Sequence, residues 1–264
     1  MIVDYHMHLR APDESIDHSV PAVERFVAAA AERGVDEIGF AEHVYYFAET
    51  RSLWTMSSQL ERCVYSIEPY VEAVLSAKRE GMPVKLGLEV DYVPGREEET
   101  AAILEPYPWD FLIGSIHFVD GYGIDGAPSL VEEVGVEEAW RRYYDTLESA
   151  ARSGLFDTLG HPDLVKMYGS EIGWDWSGVA ASLDCVRLEV SSAGLHKPHG
   201  KLYPNSGLLE EAKKRGVEIT LASDAHIPEN VGRDLDRAIE HARAAGYATI
   251  TVFDERHARQ EPLG

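Results

Sequence analysis

Along this chain, short apolar runs of strand length alternate with longer stretches whose apolar positions recur at helical spacing. The runs fall at 2–5, 37–41, 84–90, 111–116, 156–159, 185–190 and 218–222, and each reads as a buried strand. Between and after them, helical periodicity covers 20–33, 59–79, 97–105, 136–153, 174–183, 206–215 and 229–245. Several of these stretches end in Ala-x-x-x-Gly, as at Ala30-Gly34, Ala77-Gly81 and Ala212-Gly216, putting a glycine where a helix stops and the chain turns toward the next strand. Tandem βα units of this kind build either a closed barrel or an open doubly wound sheet. A further apolar run at 249–253 reads as an extra short strand, and the polar segment 256–264 as a frayed terminus.

The polar residues decide between the two architectures. Nearly every unit places a histidine or carboxylate at the end of its strand: Asp4-Tyr5-His6-Met7-His8, Ala41-Glu42-His43, Leu88-Glu89-Val90-Asp91, Ile116-His117, Gly160-His161-Pro162-Asp163 and Ser223-Asp224-Ala225-His226. An open sheet concentrates its site at one crevice, whereas a barrel collects side chains from the carboxyl ends of many strands. A distorted, seven-stranded (β/α) barrel of the TIM type is therefore expected, as one domain over 1–264 with its site at those ends. Its size of 264 residues, 45% of them hydrophobic, is ample for such a core.

Composition narrows the chemistry. Forty-six acidic residues against 24 basic give a net charge of -22, which disfavours a nucleic-acid surface. No apolar segment is long enough to span a membrane, and the N-terminus lacks the basic-then-apolar pattern of a signal peptide, so a cytoplasmic location is expected. Cys63 and Cys185 form no CxxC pair and read as small buried hydrophobes. Neither a GxGxxG nor a GxxxxGK[ST] sequence opens a helix.

Seven of the eleven histidines, His6, His8, His18, His43, His117, His161 and His226, lie at or near strand exits in company with Glu89 and Asp224. His6 and His8 stand two apart in an extended segment and so reach to the same side. Glu89 sits inside an apolar run, where an uncompensated carboxylate would be costly. A multinuclear metal centre explains this set as a whole. Imidazole and carboxylate donors without thiolate suit zinc, iron or manganese. Asp4, Glu42 and Asp163 are placed to orient the imidazoles through their other ring nitrogen.

Taken in order, these motifs resemble those of the polymerase and histidinol phosphatase (PHP) superfamily over essentially the whole chain. Within it they are most similar to the stand-alone histidinol-phosphatases of histidine biosynthesis. Leu202-Tyr203-Pro204 and His161-Pro162-Asp163-Leu164-Val165-Lys166 extend that likeness, while Ser191 stands where the branch often carries Asn. The resemblance implies a distorted barrel holding two or three divalent ions. It implies that His6, His8, Glu89 and Asp224 hold one ion, that Glu89 bridges to a second completed by His117 and His161, and that His18, His43 and His226 hold a third. The implied activity is hydrolysis of a small phosphate monoester, L-histidinol phosphate, with Glu89, Asp224 and His226 at the centre of catalysis.

Lys166, Lys197 and Arg51 are candidate substrate contacts. The loop 44–58, with Tyr45, Tyr46, Phe47, Leu53, Trp54 and Met56, is apolar enough to cover the site, line its pocket or pack as a local cap. Two other readings of the same residues are a phosphoesterase acting on nucleoside phosphates or short oligonucleotides, and a metal-binding module without catalysis.

Overall fold

Seven parallel strands follow one another in chain order: β1 (Val3–Met7), β2 (Glu37–His43), β3 (Val84–Asp91), β4 (Phe111–Ser115), β5 (Thr158–Leu159), β6 (Arg187–Ser191) and β7 (Ile219–Ala222). The structure is a computed structural model and describes residues 1–11, 13, 15–127, 129–168 and 173–264. Each strand pairs with its neighbour in sequence, and all six pairings are parallel. The ring closes at the carboxyl ends, where Met7 bridges Ala225: His8 N donates to the Ala225 carbonyl at 2.8 Å, and Ala225 N to that of His6 at 3.1 Å. The expected barrel is the fold found. Strands enclosed on both faces lose the polar-apolar alternation of half-buried sheets, which is why they appear in the sequence as short apolar runs.

The helices lie close to their expected places, with informative exceptions. The stretch 59–79 is two helices, Ser57–Arg62 and Ile67–Arg79, because the chain is pulled aside between them. Cys63 Sγ donates to the Phe47 carbonyl at 2.8 Å, and the Ile67 amide donates to Glu49. The stretch 229–245 likewise divides into a 3-10 turn, Pro228–Asn230, and a helix, Leu235–Ala244, with Asp234 at φ 53° between them. Cys63 is buried as expected, but Cys185 is exposed, since it precedes the point where β6 enters the barrel wall.

The end opposite the site is plugged. The ring of Phe111 stacks between those of Tyr5 at 5.3 Å and Phe253 at 5.7 Å. Gly39 and Gly87 make room for it, for a Cβ on either would lie 2.7 Å and 2.3 Å from Phe111 Cζ. The segment expected to fray is instead a strand, His257–Pro262, paired antiparallel with Thr249–Asp254. Its side chains are almost all exposed, so no apolar pattern marks it, and main-chain pairing alone holds it in register. Asp110 ties this hairpin to the barrel by accepting from Lys78 Nζ at 2.7 Å, Leu86 N at 2.9 Å and Glu255 N at 3.0 Å. Among the described residues no helix is long and apolar enough to cross a membrane.

Because the Phe111 ring occupies the space where a Gly87 side chain would stand, Gly87→Ala overpacks the plug. A loss of about 2–3 kcal/mol is expected in urea unfolding, partly recovered when Phe111→Leu is added. An unchanged unfolding midpoint for Gly87→Ala would show that the plug is not tightly packed.

Candidate metal centre

Glu89 is fully buried near the carboxyl end of β3, and five imidazoles converge on it. Its Oε1 lies 3.0 Å from His161 Nε2, 3.3 Å from His6 Nε2 and 3.4 Å from His117 Nε2. Its Oε2 lies 2.5 Å from His43 Nδ1 and 3.9 Å from His8 Nε2. Asp224, just past β7, faces the same space, its Oδ1 being 3.3 Å from His8 Nε2 and 3.9 Å from His6 Nε2. His226 stacks on His8 at 4.2 Å and is the most open imidazole of the group, with 42% of its side chain exposed.

Three of these imidazoles are anchored from behind by carboxylates. His6 Nδ1 is 2.7 Å from Glu189 Oε2, His8 Nδ1 is 3.1 Å from Glu42 Oε1, and His117 Nδ1 is 2.9 Å from Asp91 Oδ1. In the neutral tautomer that such an anchor selects, Nδ1 carries the hydrogen and Nε2 presents a lone pair. The Nε2 atoms of these rings face Glu89 and Asp224, which are themselves acceptors, so the arrangement calls for a cation between them, either a proton on the ring or a metal ion. His226 follows the same rule, its Nδ1 lying 3.1 Å from the Asp224 carbonyl.

The unpartnered atoms carry the same message. His6 Nε2, His8 Nε2, His43 Nδ1 and Glu89 Oε2 are buried without a hydrogen bond, a costly state unless a ligand takes them up. The donor set therefore fits divalent metal ions. Four groups of three residues bring their ligand atoms within 4.8 Å of one another: His6-His8-Asp224, His6-Glu89-His161, His43-Glu89-His117 and His8-His43-His226.

The electrostatics follow from this crowding. Burial works against the charge on Glu89 and Asp224, yet the surrounding imidazoles hold both carboxyls well below their ordinary range. For His43, burial together with neighbouring His8 pushes the imidazole down to about 4 despite Glu89. For His117 the balance reverses, because Glu89 and Asp91 outweigh burial and lift it to about 10. Burial likewise opposes a charge on His6, but Glu189 and Glu89 lift it well above its ordinary value. Two non-glycine residues of the cluster sit in the left-handed region, His161 at φ 27° and Asp224 at φ 54°. Such backbones cost about 1–3 kcal/mol each and persist where surrounding contacts dictate them. For His161 those contacts are its amide to Glu189 Oε1, 3.2 Å, and its carbonyl to the Tyr143 hydroxyl, 3.3 Å.

Eight of the nine expected ligands thus share one space: His6, His8, His43, Glu89, His117, His161, Asp224 and His226. His18 is in none of the four groups; its Nε2 lies 3.2 Å from Glu42 Oε2, and its ring packs near Phe47 and Tyr70. The place beside His43 and His226 that the resemblance gave to His18 is taken by His8.

Of the three expected orienting carboxylates only Glu42 anchors a ring. Asp4 instead accepts the Ser223 and Gly232 amides, both at 2.8 Å, and Asp163 accepts Lys166 Nζ and the Asn205 amide, both at 2.7 Å. Lys166 is buried and also donates to the Leu202 carbonyl at 2.7 Å, while Arg51 donates to the Leu60 carbonyl at 2.8 Å. Lys197 ends a short 3-10 turn, Ala193–His196. In the loop 44–58, Tyr45 stacks on His43 at 4.8 Å, whereas Phe47, Leu53 and Trp54 join the hydrophobic core.

Sequence reasoning missed Glu189, Asp91 and Arg10. Glu189 and Asp91 carried the signal that exposed Glu89, a carboxylate within or at the end of a buried strand. Arg10 continues the alternation of His6 and His8, and its guanidinium grips Glu42 at 2.6 Å and 3.1 Å.

A parallel β/α barrel with imidazoles and carboxylates gathered at the carboxyl ends of its strands is the build of a metal-dependent hydrolase. The family pattern described as the PHP domain matches residues 4–186, and the chain belongs to that family. It is 32% identical to a Deinococcus radiodurans protein named "Probable histidinol-phosphatase", over 97% of each chain. It is 26% identical to the histidinol-phosphatase of Bacillus subtilis, covering 83% of this chain and 92% of that one. Among solved structures, the fold matches histidinol phosphate phosphatase from Lactococcus lactis subsp. lactis, complexed with zinc, L-histidinol and phosphate. That match has a TM-score of 0.78 over 98% of both chains at 21% identity.

Removing an anchor should loosen the ring it holds. Glu189→Ala is expected to weaken zinc binding about 10- to 100-fold in chelator competition. His18→Ala is expected to change it far less, and the reverse ranking would restore His18 as a ligand.

Proposed function

We propose that this chain, as a single barrel domain, hydrolyses L-histidinol phosphate to L-histidinol and phosphate in the cytoplasm, as a step of histidine biosynthesis. The observation that carries the reading is the set of buried, unpartnered ligand atoms facing Glu89 and Asp224, in a chain similar from end to end to histidinol-phosphatases. We assign His6, His8, His43, Glu89, His117, His161, Asp224 and His226 as holders of two or three divalent ions, zinc, iron or manganese. When bound, such ions supply an acidified water and neutralise charge on the phosphoryl oxygens.

The chain's own groups do the rest. Glu89 is shut away from solvent and serves as the fixed negative centre around which the imidazoles are arranged. Asp224 stands at the open side, with 12% of its side chain exposed, and its Oδ1 is turned toward His6 and His8. Its other oxygen is assigned to take the proton of the attacking water. As the water oxygen bonds to phosphorus and the ester P–O bond breaks, the same carboxyl returns that proton to the departing alkoxide. His226 lines the open side, and Tyr45, stacked on His43, forms part of the wall. Lys166, paired with Asp163, fixes the segment after His161 and reaches the substrate only if that pair opens.

Glu89→Ala and Asp224→Ala should each lower the bound-metal content and bring phosphate release from L-histidinol phosphate to background, with circular dichroism unchanged. Chelation of the wild-type protein should do the same, reversibly on adding zinc or manganese. Turnover retained by metal-depleted Glu89→Ala would refute the assignment. Faster release from a nucleoside monophosphate than from L-histidinol phosphate would redirect the substrate.

A further inference from the structure

A cavity of about 110 Å³ lies between the loop after β2, the end of β3 and the short hairpin that follows β4. Trp54, Met56, Tyr92 and Phe118 give it a largely aromatic wall. The wall is firm on the Trp54 side, where the indole N–H donates to Thr50 Oγ1 at 2.9 Å. Two polar side chains complete the lining, Asp91 and Gln59, and both are buried. Asp91 Oδ1 is taken by His117, whereas Oδ2 is buried without a hydrogen bond. Gln59 belongs to the helix Ser57–Arg62, and its amide forms no hydrogen bond with another described residue.

Contacts tie this cavity to the metal centre. Asp91 holds His117 Nδ1 at 2.9 Å, and the same ring presents its Nε2 3.4 Å from Glu89. Phe118, next in the chain, has its ring 6.4 Å from that of His117 and meets Tyr45 edge-on at 6.1 Å. Tyr45 in turn stacks on His43 at 4.8 Å. Asp91 and Phe118 therefore border the cavity while touching, directly or through Tyr45, two of the imidazoles of the cluster.

The lining states what an occupant must offer. Asp91 Oδ2 can only accept a hydrogen bond while ionised, and the Gln59 amide can donate one. Flat aromatic walls favour a flat ring between them. A cavity of roughly 150 Å³ holds a benzene ring, so one somewhat smaller suits a five-membered ring. Neutral imidazole combines these properties: it is flat and five-membered, with one N–H donor and one nitrogen lone pair. L-histidinol phosphate carries such a ring about five bonds from phosphorus, within reach of a recess adjoining the cluster. We propose that this cavity seats the imidazole of the substrate, with the ring N–H donating to Asp91 Oδ2 and the Gln59 amide donating to the other ring nitrogen. The inference rests on the phosphatase reading above and adds to it the place where the side chain of the substrate is read.

The test removes the Gln59 amide and leaves Asp91, whose other oxygen holds His117. Gln59→Met keeps the length and helix preference of the side chain. The ratio of kcat/KM for L-histidinol phosphate to that for L-alaninol phosphate, which lacks only the ring, should fall about 3- to 10-fold, the worth of one neutral hydrogen bond. An unchanged ratio, or an equal fall on both substrates, overturns the proposal. Calorimetric titration separates this result from failure of the phosphatase reading, since it needs no turnover. Gln59→Met should weaken binding of L-histidinol by a similar factor relative to L-alaninol, and that outcome upholds the ring site even where L-histidinol phosphate is not hydrolysed. Affinity for L-histidinol that Gln59→Met leaves unchanged puts the ring elsewhere and refutes it.

Discussion

The burial of the Glu89 carboxylate is the constraint around which the rest of this molecule is organised. Removing such a charge from water costs several kcal/mol even after the protein relaxes, and among the described residues no lysine or arginine pairs with it. Five imidazoles surround it instead, each from a different strand exit except His6 and His8, which share one. An imidazole helps only when its ring is held in the right tautomer and direction, so three of the five need a carboxylate behind them. Glu189, Glu42 and Asp91 fill that role, and they add buried charge of their own. Arg10 then answers Glu42. The chain of requirements runs from the centre outward, and a metal ion at the centre satisfies it most directly, because it turns opposed acceptors into shared ligands.

The same logic explains why the site and the closure of the barrel coincide. The Met7–Ala225 bridge that joins the first strand to the last lies between His6 and His8 on one side and between Asp224 and His226 on the other. Closing the ring therefore brings together both ends of the chain's ligand set. The register of β1 against β2 shifts between Asp4 and Met7, at the place where His6 must turn inward. Strain at His161 and Asp224 belongs to this picture, since the barrel elsewhere supplies the packing that holds those backbones in place. The aromatic plug at the opposite end contributes that packing without touching the site.

Much of this was legible in the sequence because it depends on periodicity and on polar residues in improbable places. A buried parallel strand must be apolar, so Glu89 inside its run calls for a compensating partner on the strength of the sequence alone. The unit order followed from the alternation of strand and helix patterns. What could not be read were contacts set by distance across the barrel. Glu189 carries the same signal as Glu89, but only the ring geometry reveals that it faces His6. His18 shows the opposite case: the resemblance makes it a ligand, yet its Nε2 is turned to the Glu42 carboxylate. Lys166 likewise follows His161 closely but turns to Asp163. The strand His257–Pro262 was invisible because its side chains face solvent and main-chain pairing has no sequence signature.

The acidic surface raises a last physical question: how a chain of net charge -22 admits an anionic phosphate. Charges farther than about 10 Å are largely screened at physiological salt, so the distant surface contributes little to binding. What matters is the balance within the pocket. There, Glu42, Asp163 and Glu189 are each matched by a nearby cation or imidazole, and Glu89 and Asp224 by the imidazoles and the ions these residues are suited to hold. The local field at the phosphate position is then set by the metal ions rather than by the formal charge of the protein.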